Sequence, residues 1–220
     1  MSLNSVLEQF SPISLKEMDS VKLMSRFDSK FIFPLLTLNE VLKNLNKYYR
    51  VLNIKGKNIH SYESLYLDDK ENRFYNDHHS GKNPRFKVRH RKYVDSNMTF
   101  LEVKEKRDGR TNKNRISSTK WAEDFSDNQT KFLNDFSLPT KNLRKTIKTS
   151  YDRITLVSLL TAERITIDIN IQFFDKKNTV TTHEFVVAEI KQNKIQREWR
   201  KQKVQCFLQP IQRRKVSHQF

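Results

Sequence analysis

Charged side chains occupy every second position in two neighbouring stretches of the chain, 84–93 and 100–107. The residues that alternate in this way are Lys87, Arg89 and Arg91 in the first stretch and Glu102, Lys104 and Lys106 in the second. Alternation with a period of two is typical of a half-buried β-strand, so each stretch is predicted to present an almost purely ionic face. Many cations with a few well-placed acids are what a site for a metal–polyphosphate complex requires.

The same pattern extends along most of the chain. Strands are predicted at 23–33, 62–67, 85–94, 99–107, 112–118, 149–158, 163–173 and 183–191. Most of these strands carry Arg or Lys on the polar face, and lone carboxylates recur at strand centres: Asp28, Glu102, Asp168 and Glu189. Like charges opposite each other destabilise a sheet, so stacked cations call for a counter-ion. Two structures can account for the ionic faces. One is an open sheet with one solvent-exposed face, and the other is a barrel of about eight strands whose lumen holds a small ligand.

Helices are predicted between and beside these strands. They are a leader helix at 11–21, an amphipathic helix at 37–48, helices within 119–148 and a basic helix at 194–208. Thr37 followed by Glu40 is typical of a helix N-terminus with a capping box. A turn or short helix is expected at 73–79, after Asp68 and Asp69, which are predicted to cap a strand and turn rather than bind metal. With no repeat and no flexible linker, residues 1–220 are predicted to form a single domain.

Composition narrows the classes of function. The net charge is +17, with 42 Lys and Arg against 25 Asp and Glu, which predicts a polyanionic partner. Only three glycines are present, so Walker loops and GxGxxG nucleotide cradles are excluded, and side chains must bind any phosphate. The single cysteine, Cys206, fits a reducing compartment, and no apolar run is long enough to span a bilayer, so a cytoplasmic location is predicted.

Several short motifs occur in a fixed order along the chain. They are Arg26-Phe27-Asp28-Ser29-Lys30-Phe31, Tyr66-Leu67-Asp68-Asp69, Lys87-Val88-Arg89-His90-Arg91, Leu101-Glu102-Val103-Lys104, Lys113-Asn114-Arg115, Tyr151-Asp152-Arg153, Arg164-Ile165-Thr166-Ile167-Asp168 and Glu189-Ile190-Lys191. In this order they resemble the VTC-domain proteins of the triphosphate tunnel metalloenzyme superfamily, specifically the bacterial polyphosphate-polymerase-like members. The resemblance covers nearly the whole chain.

This resemblance implies an α+β fold: an antiparallel β-barrel tunnel of about eight strands, with helices inserted between strands and a C-terminal helix. It also implies a metal-dependent enzyme that processes triphosphate or polyphosphate, most specifically a polymerase that transfers the ATP γ-phosphate to a growing chain. The implied phosphate ligands are Lys30, Arg89, Arg91, Lys104, Arg153 and Arg164. Further substrate-binding residues are Arg26, Lys87, Lys113, Arg115, Lys191, Ser217 and His218. Glu189 is the leading ligand for Mn²⁺ or Mg²⁺, with Glu102, Asp28 and Asp168 as further candidates.

Two departures from the family pattern bear on this interpretation. His218 stands where family members commonly have a lysine, and 209–220 is expected to be a truncated final segment. Asp28 and Arg26 replace two glutamates of the wider superfamily. One alternative is a polyphosphate- or nucleotide-binding module without turnover, and another is a nucleic-acid-binding β-protein. The expected partners are ATP, triphosphate or polyphosphate, and a membrane protein that could hold the chain at the inner face of a membrane. Nucleic acid is not expected, because its binding surfaces favour basic patches with exposed aromatics.

Overall fold

The computed structural model describes residues 1–20, 26–119, 121, 124–138, 140–175 and 178–193. The helices are α1 (Leu3–Leu7), α2 (Leu15–Ser20), α3 (Leu38–Leu45), α4 (Arg73–His79) and α5 (Asp127–Asn134). The strands are β1 (Pro12–Ile13), β2 (Arg26–Pro34), β3 (Tyr49–Leu52), β4 (Ile59–Asp68), β5 (Arg85–Tyr93), β6 (Met98–Arg107), β7 (Arg110–Ser118), β8 (Arg144–Ser158), β9 (Glu163–Phe174), β10 (Thr179–Thr182) and β11 (Phe185–Asn193). No helix in these ranges is both long enough and apolar enough to cross a membrane.

The described residues form two compact units. Unit 1 contains 1–60, 151–171 and 182–193, and unit 2 contains Ser61–Ser150 and Gln172–Thr181. Strands β4, β8, β9 and β10 each contribute residues to both units. In neither unit do the hydrogen-bonded strands of the described residues return to form a closed ring.

Unit 1 is built on the strand order β2-β11-β9-β8-β3-β1. Strand β11 pairs antiparallel with both β2 and β9, and β8 pairs antiparallel with β3. Strand β1 pairs with β3 in parallel. One side of the sheet carries alternating apolar residues such as Ile165, Ile167 and Ala188, which are buried. Helix α3 packs its apolar stripe into the same core through Leu38, Val41, Leu42 and Leu45, as its periodicity predicts.

Unit 2 is an antiparallel series in which β4, β5, β6 and β7 follow one another in space as they do in sequence. Its core contains Leu67, Val88, Leu101 and Val103 from these strands, together with Leu133 from α5. Because side chains alternate across a strand, burying these residues forces the charged set to the opposite face. The hydrophobic alternation thus determines where the ionic face lies.

All eight predicted strands are present, as β2, β4 to β9 and β11, and the short helix at 73–79 is confirmed as α4. Asp68 caps this helix, because its carboxylate accepts hydrogen bonds from the backbone N–H groups of Phe74 and Tyr75, each at 2.9 Å. Asp68, which was predicted with Asp69 to cap a strand and turn, thus bonds the first turn of the helix that follows the turn.

Three other sequence predictions are wrong in detail. Among the described residues of 119–148, only α5 is an α-helix, and β8 already begins at Arg144, where β-branched Thr146 and Ile147 favour a strand. The leader helix predicted at 11–21 is present as α2, but it begins only at Leu15, because Pro12 and Ile13 form β1. Thr37 does not cap α3 with its side chain, because a 3₁₀ turn at Leu35–Thr37 precedes the helix and the Thr37 hydroxyl donates to the Pro34 carbonyl at 2.9 Å.

The predicted C-terminal helix at 194–208 and the final segment at 209–220 lie outside the described residues.

Candidate functional site

The register of unit 2 brings the predicted phosphate-binding residues into cross-strand rows. One row runs Tyr66, Arg89, Glu102 and Arg115 across β4, β5, β6 and β7, and the next runs Lys87, Lys104 and Lys113. Residues opposite each other on one face of an antiparallel pair are close enough to interact. The pairing therefore places the predicted site residues of both rows, together with Tyr66, on a common face of unit 2.

Glu102 lies at the centre of this face and is buried, with a relative exposure of 2%. Its Oε1 is 2.6 Å from Nζ of Lys113, and its Oε2 is 2.8 Å from Nη2 of Arg89 and 4.0 Å from Nε of Arg91. We call Glu102, Arg89, Arg91 and Lys113 the Glu102 cluster. One carboxylate thus neutralises part of the charge of three cations from the two flanking strands.

Burial and the neighbouring charges shift the pKa values of Glu102 and Lys113. Burial alone would raise the pKa of Glu102, but Arg89, Arg91 and Lys113 together lower it, so the carboxylate is ionised at neutral pH. Burial lowers the pKa of Lys113, and Arg91 and Arg89 add to that effect, which Glu102 only partly opposes. Burial and the two arginines therefore disfavour the protonated form of Lys113, and a bound anion would favour it.

Aromatic residues border the cluster. The hydroxyl of Tyr66 accepts a hydrogen bond from Nη1 of Arg89 at 3.1 Å, and the Arg89 guanidinium lies 5.7 Å from the centre of the Tyr66 ring. Burial would raise the pKa of Tyr66, but Arg89, Arg91 and Lys87 lower it. Arg115 lies over Phe100 at 4.6 Å in the same way. Sequence reasoning missed Tyr66 as a site residue, although its place in the alternation of β4 would have put it on this face.

In unit 1 a second set of predicted residues shares a face. Glu189 on β11 is opposite Lys30 on β2 and Thr166 on β9, and Lys191 is opposite Asp28 and Arg164. Nζ of Lys191 lies 2.7 Å from Oε2 of Glu189. Burial would raise the pKa of Glu189, but Lys191, Lys30 and Arg153 lower it. We call Glu189, Lys191, Lys30 and Arg153 the Glu189 cluster.

Asp168 is held by Arg153 through two hydrogen bonds. Nε and Nη2 of Arg153 donate to the two carboxylate oxygens at 2.6 and 2.7 Å, and the guanidinium lies 5.0 Å from the centre of the Tyr151 ring. Such a bidentate pair fixes the plane of the guanidinium. The predicted phosphate ligand Arg153 and the predicted metal ligand Asp168 are therefore partners of each other.

Carboxylates do not gather into a ready-made metal cage. Within the ranges that the structure describes, no group of three or more His, Cys, Asp or Glu residues could hold a metal ion. Mg²⁺ and Mn²⁺ need only one or two protein carboxylates when phosphate oxygens and water supply the other ligands. Glu189, whose side chain is 22% exposed, fits this arrangement better than Glu102.

Three predicted substrate-binding residues are described incompletely or not at all. Arg26 is the first residue of β2, and Ser217 and His218 lie outside the described residues.

The fold and its two carboxylate-centred cationic clusters define the class of protein as a mostly antiparallel β-protein with cationic faces. The chain belongs to the VTC domain family, whose sequence profile matches residues 25–217. Membership of this family supports triphosphate processing as a general class of activity and triphosphate-containing compounds as the class of substrate. Proteins with this fold are generally metal-dependent.

One of two similar solved structures supports the fold. A candidate adenylate cyclase of Bacillus halodurans has a TM-score of 0.53 at 12% identity, over 77% of this chain and 81% of that chain. A candidate adenylyl cyclase of Hippeastrum with a dominant triphosphatase activity has a TM-score of 0.47 at 10% identity, over 78% of this chain and 80% of that chain. The Bacillus structure confirms the predicted tunnel-type fold. No match was found among the curated proteins.

Proposed function

We propose that this protein is a metal-dependent polyphosphate polymerase, which transfers the γ-phosphate of ATP to the end of a growing polyphosphate chain. The observation that carries the proposal is the gathering of cations from successive strands around single carboxylates on the ionic faces. Membership of the VTC domain family supports the same general chemistry.

Phosphate binding is assigned to the cations of these faces. Arginine pairs two phosphate oxygens at once, whereas lysine supplies a mobile point charge. The proposed main ligands are Lys30, Arg89, Arg91, Lys104, Arg153 and Arg164, supported by Arg26, Lys87, Lys113, Arg115, Lys191, Ser217 and His218. Their joint effect is to orient the polyanion and neutralise the charge that develops during transfer, which is most of what phosphoryl transfer requires.

The nucleophile in this reaction needs little activation. The terminal phosphate of polyphosphate is already ionised near neutral pH, so no Ser, Cys or His base is needed at the reacting oxygen. Glu189 is the proposed ligand for Mn²⁺ or Mg²⁺, which supplies Lewis-acid neutralisation of phosphate oxygens when bound. The proposed location is the cytoplasm, since ATP is the proposed phosphate donor, and a membrane protein remains the proposed partner.

Incubation of the protein with ATP and Mn²⁺ tests the reaction. Gel electrophoresis should show polyphosphate, and a phosphate assay should show little free phosphate. Release of free phosphate without polymer would identify a triphosphatase instead.

A second candidate function is a polyphosphate- or nucleotide-binding module without turnover. The observation in its favour is the ion pair between Lys191 and Glu189, which occupies the proposed metal ligand. Tight binding of tripolyphosphate with no consumption of ATP would identify this function.

A further inference from the structure

The most buried charged group on the ionic face of unit 2 is an anion. Glu102 has the same sign of charge as the proposed ligand, yet it lies between the strands that carry the phosphate-binding cations. A buried carboxylate is costly unless it is paired and hydrogen-bonded. Its position therefore calls for a role that outweighs its repulsion of an incoming polyanion.

The contacts of Arg89 indicate what that role is. Nε and Nη2 of Arg89 both donate to Oε2 of Glu102, at 2.9 and 2.8 Å, while Nη1 donates to the Tyr66 hydroxyl at 3.1 Å. A guanidinium has five N–H donors in one plane, so partners on two of its sides fix both its position and its orientation. Glu102 and Tyr66 together determine how Arg89 is presented on this face.

The same contacts argue against a metal at Glu102. Nζ of Lys113 lies 2.6 Å from Oε1 and two arginines approach Oε2, so cations are already placed around both carboxylate oxygens. A divalent ion bound there would have to displace Lys113 and would lie among three positive charges. Coulomb repulsion at such short distances strongly disfavours this arrangement.

We propose that Glu102 is a positioning residue, a resident counter-anion that holds Arg89 and Lys113 in the orientation used to bind phosphate. Tyr66 completes the arrangement by fixing the opposite side of Arg89. This inference rests on the proposed function, because it assigns Glu102 a task within polyanion binding. It goes beyond that function by giving Glu102 a role other than that of metal ligand.

The decisive variant is Glu102→Gln, measured by calorimetric binding of tripolyphosphate in buffer without divalent metal. Simple electrostatics predicts tighter binding, because a negative charge is removed. Positioning predicts weaker binding, by about tenfold, comparable to losing one well-oriented hydrogen bond. Glu102→Asp, which keeps the charge, should recover part of the lost affinity.

A matched control lies three residues further along β6. Glu105 forms an ion pair with Arg107 at 2.7 Å but points to the other face of the strand. Glu105→Gln makes the same chemical change without touching the cluster and should leave binding unchanged. Tyr66→Phe removes only the hydroxyl that Arg89 contacts, so it tests the positioning of Arg89 even if Glu102→Gln does not fold. It should weaken binding by about threefold or more.

A double-mutant cycle tests whether Glu102 acts through Arg89. In an Arg89→Ala background, Glu102→Gln should have much less effect on binding than it has in the wild type. Equal effects in both backgrounds would overturn the proposal. Unchanged or tighter metal-free binding by Glu102→Gln would also overturn it. If that variant lost only its metal-dependent activity, Glu102 would be assigned as a metal ligand instead. If the wild-type protein itself fails to bind tripolyphosphate, the proposed function is refuted, a result distinct from failure of the positioning role alone.

Discussion

The assignment of Glu189 as a metal ligand predicts a specific pair of effects for Glu189→Gln. The substitution keeps the side-chain volume and one hydrogen-bonding oxygen but removes the negative charge. Catalysis should fall while metal-free binding of tripolyphosphate is retained, because the arginines and lysines still hold the polyanion. The loss of one like charge near the ligand should leave that affinity equal to or slightly above the wild-type value.

The size of each effect follows from the structure. The ion pair of Glu189 with Lys191 spans 2.7 Å, and the two side chains are 22% and 19% exposed. Partly exposed pairs of this kind contribute roughly 1 kcal/mol, so folding should be affected only slightly. Metal stabilisation of transition-state charge contributes several kcal/mol, so activity should fall by about 100-fold or more.

Metal-dependent ATP consumption and calorimetric binding without metal should be measured on the same preparations. Glu63→Gln is the matched control, because Glu63 forms a similar ion pair with Lys148 at 2.8 Å but lies on the opposite face of β4 from Tyr66. This control should keep full activity. If Glu189→Gln keeps its metal-dependent activity, Glu189 is only a structural partner of Lys191 and the metal assignment must be abandoned.

Three further results are expected. Arg89→Ala should weaken binding of tripolyphosphate by roughly 1.5–3 kcal/mol, the contribution of a charge-assisted hydrogen bond, and an unchanged Kd in calorimetry would remove Arg89 from the ligand set. Tripolyphosphate should raise the melting temperature in a thermal-shift assay, because it binds only the folded chain and relieves repulsion between cations, whereas double-stranded DNA should do much less. Arg89, Arg91 and Lys113 outweigh burial and lower the pKa of folded Glu102 below its unfolded value of about 4.3. The ionised carboxylate therefore stabilises the fold above that pH. The stabilisation should be lost as pH falls through the folded pKa. Urea unfolding between about pH 6 and pH 3 would show this as a fall in the free energy of unfolding with decreasing pH, and that fall should be smaller in Glu102→Gln.

The strands and their ionic faces could be predicted because the alternation of apolar and charged residues indicates both. Apolar residues such as Val88 and Leu101 must be buried, so the intervening charges are forced onto the other face. The short strands β1, β3 and β10 escaped prediction, since two to four residues are too few to show a period. The start of β8 was missed because its first residues, Arg144 and Lys145, are charged like the preceding region that was predicted as helical.

The partners of individual side chains could not be predicted in the same way. Alternation shows that Arg89 and Glu102 are polar-face residues, but only the strand register makes them neighbours. Glu102 is therefore a candidate metal ligand from the sequence, and the register adds that three cations surround its carboxylate. Tyr66 was overlooked for a related reason, since its importance arises from its contact with Arg89 across the sheet.

The two clusters differ in how far apart their residues lie along the chain. Strands β4 to β7 pair with their sequence neighbours, so every residue of the Glu102 cluster comes from a span of 25 residues, 89–113. In contrast, Lys30 meets Glu189 through the pairing of β2 with β11, near opposite ends of the described chain. Local contacts form sooner than distant ones, because less loop entropy is lost on closing them. The Glu102 cluster should therefore assemble first during folding, and during synthesis it can be complete before β11 has left the ribosome. Pulsed hydrogen exchange would show this order as early protection of β5 to β7 and late protection of β2, and simultaneous protection would contradict it.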